Sequence, residues 1–143
     1  MSFHGVLSKQ MIKDVSGYAT LNTDDGTISI SDGNTQTVVS KTTNKYYTNL
    51  LILAMCAGWG DDGPADLTTY LQKDGNNLTS LSATWNDASA GSGGPAEGMF
   101  FQYIDKNVPK GTVYRLRTTN TDADHTLRIR GQIFFLSMKG DVL

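Results

Sequence analysis

Val113-Tyr114-Arg115-Leu116-Arg117-Thr118 and Leu127-Arg128-Ile129-Arg130-Gly131-Gln132-Ile133-Phe134-Phe135-Leu136, joined by a polar connection containing Asp122, Asp124 and His125, decide the fold. Successive side chains of an extended strand point to opposite faces, so Leu116 and Thr118 fall on one side and Arg115 and Arg117 on the other. The second segment alternates in the same way through Leu127, Arg128, Ile129 and Arg130. These patterns predict a hairpin with Leu116 opposite Ile129 and Thr118 opposite Leu127, which gathers Arg115, Arg117, Arg128 and Arg130 on one face. Ile133 to Leu136 is apolar on both sides and is expected inside a sheet or against another subunit.

Strand signals recur on the N-terminal side of this segment. Tyr46 to Met55 is a nearly continuous apolar run closed by Gly58 and Gly60. Its Tyr46, Tyr47, Thr48 and Ile52 favour a strand covered on both faces over a short buried helix. Tyr18 to Leu21, Asp24-Asp25-Gly26 and Thr27 to Ser31 read as a hairpin in which Ile28 and Ile30 share a face. Asp32-Gly33-Asn34 then leads into an edge or half-exposed strand from Thr35 to Lys41, with Val38 and Val39 among threonines. Leu67 to Gln72, a turn at Lys73-Asp74-Gly75-Asn76 and the Leu81, Ala83, Trp85 stripe predict another hairpin. Asn86 to Gly98 lacks periodicity and is expected to be a surface loop. Gly98 to Ile104 resumes the strand pattern, and Pro109-Lys110-Gly111 turns into Val113. Eight or more short strands make the expected class all-β, an antiparallel β-sandwich.

Composition sets the outer limits. With 143 residues, a net charge of -2 and 18% charged residues, one domain is expected over residues 16–143, with 1–15 as an N-terminal arm or first strand. A 38% hydrophobic content argues against wholesale disorder, and Leu50 to Ala57, the longest apolar stretch, is far short of the ~20 residues that span a bilayer. A pI near 5.5 argues against general nucleic-acid binding. The start of the chain shows no secretory pattern, so use without export is expected, and Cys56 reads as a small buried hydrophobe. His4 and His125 belong to no spaced metal motif, and nothing brings Ser137 or Cys56 together with His125 and Asp122 as a triad. Asp61, Asp62, Asp66, Asp122 and Asp124 are oxygen-rich turn residues without the twelve-residue calcium pattern. No enzyme activity, metal or cofactor is expected.

The order of four pieces carries a resemblance: Tyr46 to Met55, Thr69 to Asn76, Val108 to Tyr114, and Leu127 to Leu136 with Gly131 before Ile133-Phe134-Phe135. Over residues 45 to 138 the chain resembles the jelly-roll superfamily that includes tumour necrosis factor and the globular head of the first complement component, domains also found on phage and other viral particles. The resemblance implies a jelly-roll homotrimer, with Tyr46, Tyr47, Phe101, Tyr103, Tyr114 and Phe135 as seam candidates. It also implies a non-enzymatic phage structural protein, a capsid decoration or cement protein made in the host cytoplasm and bound to the major capsid protein on the virion surface. Expected partner contacts are Arg115, Arg117, Arg128 and Arg130, together with Val6, Leu7, Met11 and Ile12 of the N-terminal arm. The alternative is a receptor- or glycan-binding tip of a tail or head fibre, using the 86–98 loop with Trp59 or Trp85 as a stacking platform.

Overall fold

The structure is a computed structural model that describes residues 20–60, 65–85 and 97–138. Its elements are β1 (Thr20–Ile30), β2 (Thr35–Thr42), β3 (Tyr47–Gly60), β4 (Ala65–Lys73), β5 (Asn76–Trp85), β6 (Glu97–Val108), β7 (Val113–Asn120) and β8 (Leu127–Met138). They form two four-stranded antiparallel sheets, ordered β1-β8-β3-β6 and β2-β7-β4-β5. The first strand pairs with the last, the second with the seventh, the third with the sixth and the fourth with the fifth. Ladders β3·β8 and β4·β7 then join these pairs into sheets, as though one long hairpin had been rolled over on itself.

This winding corrects the expected final hairpin. β7 and β8 do not pair: they belong to different sheets, and their apolar faces meet across the sandwich. The alternation is as expected, since Tyr114, Leu116 and Thr118 are buried on β7 and Leu127, Ile129, Ile133 and Phe135 on β8. Alternation names the buried face of a strand without naming its neighbour. The 121–126 connection crosses between sheets, and buried Asn120 holds the crossing. Its Nδ2 donates to the carbonyls of Ile30 (2.9 Å) and His125 (2.8 Å), while its Oδ1 accepts from Asp122 N–H (3.0 Å).

The Asp24-Asp25-Gly26 hairpin is also corrected. Thr20 to Ile30 is one strand that pairs with β8 on both sides of an irregularity, where residues 25–27 lie opposite Arg130 alone. Turn-forming residues here make a bulge, which absorbs extra residues without reversing the chain. In β2 the register shifts between Thr37 and Val39, so Val38 is the extra residue and both valines reach the core. The β4–β5 turn has the expected form, with Asp74 at φ 47° and Gly75 at φ 89°, the paired positive values of a tight hairpin turn.

The core consists of the inner faces of both sheets. Leu50, Ile52, Ala54 and Cys56 of β3 lie beside Ile133 and Phe135 of β8 and Phe101 and Met99 of β6, and meet Leu67, Leu71, Tyr114 and Leu116 of the other sheet. Inside it the hydroxyls of Thr69 and Thr118 satisfy each other at 2.7 Å. Gly131 faces Val38 and Val39. A Cβ there would stand 3.0 Å from Val38 Cγ1, 3.2 Å from the Met55 carbonyl oxygen and 3.3 Å from Val39 Cγ1, so only glycine lets β2 close against β8 without displacement. Gly131→Ala is expected to lower unfolding free energy by about 1–3 kcal/mol, the usual cost of overpacking. Gly98→Ala, whose Cβ meets only the Cys56 carbonyl at 3.8 Å, should be nearly silent in the same urea titration.

A polar clamp closes one end of the sandwich. Asp105 of β6 receives the Tyr114 hydroxyl of β7 and the Lys73 ammonium of β4, each 2.6 Å from Oδ2, and the Lys106 N–H at 2.9 Å from Oδ1. Burial by itself would raise the Asp105 carboxyl, but the Lys73 and Tyr114 hydrogen bonds, the Lys73 charge and the Lys106 N–H together hold it below its usual value. Burial, and then the Asp105 bond, raise Tyr114. A carboxyl with a lowered folded-state pKa stabilises the fold above its unfolded pKa, and that contribution disappears as pH falls through the folded value. Asp105→Asn should therefore cost on the order of 1–3 kcal/mol at neutral pH, as for hydrogen bonds to a charged group. The gap from the native chain should narrow below about pH 4 in pH-resolved unfolding curves.

Candidate interaction faces

Two sheets expose two outer faces, and register determines what each presents. On the β1-β8-β3-β6 sheet, successive cross-strand rows place Met55 between Phe100 and Gln132, Leu53 between Gln102 and Phe134, and Leu51 between Ile104 and Leu136. Ala57 lies between Gly98 and Arg130, and Trp59 beside Arg128. Leu51 is buried, while Leu53, Trp59, Ile104, Phe134 and Leu136 are partly buried. Phe100 and Met55 protrude, 51% and 37% exposed. A face in which three neighbouring strands all turn apolar side chains outward is what an interaction surface looks like. β3 was expected to be covered on both sides. Only its inner side is sealed, and cover on the outer side is partial.

The face contains a hollow of about 540 Å³. Ala57 and Gly98, opposite each other in register, supply almost no side chain, and Met55, Phe100, Arg130 and Gln132 line the depression around them. Cys56 also borders it, but its side chain belongs to the core, where Sγ lies 3.9 Å from Thr69 Oγ1. Burial pushes the thiol up to about 11, outweighing the hydrogen bonds to Thr69 and Met99 that lower it. The thiolate is the reactive form, so Cys56 should not react with a thiol-specific reagent at neutral pH until denaturant unfolds the chain; fast labelling of the native protein would show the burial to be incomplete.

The expected seam is corrected by parity. Tyr47, Phe101, Tyr114 and Phe135 are buried in the chain's own core, and Tyr103 packs against it. The reason is register: Ala54 pairs with Phe101, and Ile52 with both Phe135 and Tyr103, all on the inner face. In each aromatic doublet one ring does face out: Tyr46, the one seam candidate left exposed, and Phe100 and Phe134, which were not among the candidates. Tyr46 is 56% exposed, and its hydroxyl donates to Asn107 Oδ1 at 2.8 Å.

The four arginines are likewise not one face. Arg115 and Arg117 lie on the outer side of the β2-β7-β4-β5 sheet, whereas Arg128 and Arg130 border the apolar face of the other sheet. Asp122 caps its own turn, with Oδ1 accepting from Asp124 N–H (2.7 Å) and His125 N–H (2.9 Å) and lying 3.2 Å from His125 Nδ1. Register places Ser137 beside Leu50, twelve residues beyond His125 and some 35–40 Å along an extended strand, so His125 and Ser137 do not converge. Val6, Leu7, Met11, Ile12, His4, Asp61, Asp62 and residues 86–96 of the expected 86–98 loop lie outside the described residues, as does the side chain of Trp85, while Glu97 and Gly98 already belong to β6.

No protein-family model matches the sequence, and no curated protein matches it. Solved structures do share its fold. It is similar to the T13 viral particle of infectious bursal disease virus at TM-score 0.53 and 16% identity, covering 84% of this chain and 31% of that one. It is also similar to the VP2 subviral particle of the same virus at TM-score 0.53 and 18% identity, covering 84% and 32%. Dimeric latent PorU from Porphyromonas gingivalis matches at TM-score 0.54 and 11% identity, covering 85% of this chain and 12% of that one. The chain spans about a third of the length of the capsid proteins it matches. At such identities the likeness is one of fold: a two-sheet β-sandwich that also occurs in viral capsid proteins.

Proposed function

We propose that this chain is a non-enzymatic structural protein of a virus particle. In this reading it is a jelly-roll domain of the kind found in viral shells and tumour necrosis factor-like heads, which assembles as a homotrimer and decorates a phage capsid by binding the major capsid protein. Its place is then the virion surface and its site of synthesis the host cytoplasm. The observation that carries the reading is the apolar outer face running through Leu53, Met55, Phe100 and Phe134, on a sandwich whose fold is shared with capsid proteins.

Identical copies are the natural cover for such a face. Full burial of an exposed phenylalanine side chain contributes roughly 1.5–3 kcal/mol, and a closed ring repeats that gain at every seam. Arg128 and Arg130 at one end of the face set a polar limit to it, the usual arrangement of apolar centre and polar rim. Attachment at several points would let individually weak contacts with a shell hold firmly.

Phe100→Ser combined with Met55→Ser should leave the circular dichroism spectrum unchanged, because both side chains point away from the core. It should also convert a trimer, measured by sedimentation equilibrium, into monomers, and reduce retention on purified empty shells. A native chain that stays monomeric at every concentration, or a doubly substituted chain that still trimerises and binds shells undiminished, would refute assembly through this face.

A further inference from the structure

The outer face of the β2-β7-β4-β5 sheet has the opposite character from the apolar one. Arg117 sits between Thr37 of β2 and Tyr70 of β4, and Arg115 between Ser40 and Gln72, so two guanidinium groups occupy adjacent outward positions of a central strand. Among the described residues neither has a carboxylate within 4 Å. The Asp74 carboxylate is used on the Val113 N–H at 2.9 Å, and Asp66 lies four residues along β4 from Tyr70, some 13 Å away. Arg117 Nε is buried and makes no hydrogen bond. A guanidinium that has lost part of its hydration gains more from an incoming carboxylate than a fully solvated one does.

Spacing identifies the occupant. Arg115 and Arg117 are two residues apart on one strand, so they emerge about 7 Å apart. Carboxylates at alternate positions of an extended polypeptide repeat at that same distance. We propose that this face docks an extended acidic segment of a partner protein, with Asp or Glu at alternate positions, each carboxylate taken by one arginine beside Tyr70 and Gln72. The inference deepens the capsid-decoration reading by naming the chemistry of the shell partner, and it rests on that reading only for the partner's origin.

The test uses the full chain and two synthetic peptides of identical composition, one with Glu and Ser alternating and one with the same residues in blocks. The alternating peptide should bind about tenfold more tightly than the block peptide, the size expected when two exposed ion pairs come into register, and added salt should weaken it. Arg115→Ser with Arg117→Ser should abolish the preference, Lys at both positions should restore part of the affinity, and Arg128→Ser with Arg130→Ser should change nothing. Equal affinity for both peptides, binding that survives loss of Arg115 and Arg117, or capture of polygalacturonate in place of either peptide would overturn the proposal. No particle enters this measurement, so its failure is distinct from failure to bind shells.

Discussion

Tyr114 against Phe135 is the contact on which the sandwich turns. The rings come from opposite sheets, meet edge to face at 5.4 Å with 76° between their planes, and are both fully shielded from solvent. Tyr114 also carries its hydroxyl back across the interlayer gap to Asp105, which the Lys73 ammonium holds from the second sheet. Lys41, opposite Tyr114 in the β2–β7 register, lies over the Phe135 ring with its Nζ 5.4 Å from the ring centre. One aromatic pair thus fixes where β7 sits over β8, and a charged triad fixes how far β6 stands from β4. An error of one residue in β8 would turn Phe135 to solvent and bring Phe134 inside, so this contact also decides what the outer face presents.

Much of this was legible along the chain. β3, β4, β7 and β8 are announced by period-two alternation or by an unbroken apolar run, and the tight turns at Asp74-Gly75 and Gly111 occupy the positive-φ positions those residues favour. Cys56 is the buried hydrophobe that its neighbours suggest. Pairing between strands distant in sequence was not legible, because alternation carries parity and no address. Asp24-Asp25-Gly26 shows the same gap on a smaller scale: the residues that reverse a chain also accommodate a bulge, and only β8 running past both halves of β1 distinguishes the two.

Legibility of the candidate faces followed the same line. That adjacent aromatics cannot both be buried by one sheet follows from strand geometry, and Tyr46-Tyr47, Phe100-Phe101 and Phe134-Phe135 obey it. Which ring of each pair faces out depends on the register with β3, which no single strand encodes. Ala57 and Gly98 gave no signal by themselves. They matter because pairing sets them opposite each other, and the hollow comes from two small side chains meeting.

The division of the arginines resolves a difficulty inherent in the expected hairpin. Four guanidinium groups directly opposed on one antiparallel pair would repel at close range, at a cost that only a bound anion or nearby carboxylates could offset. Assigning β7 and β8 to different sheets removes that repulsion without changing a residue, since the thickness of the core now separates Arg115 and Arg117 from Arg128 and Arg130. The same step makes the two outer faces unlike: one is apolar with cations at its end, the other polar with cations at its centre. A sandwich with two alike faces would tend to stack without limit, whereas unlike faces allow one to be consumed by self-association while the other stays open to a different partner.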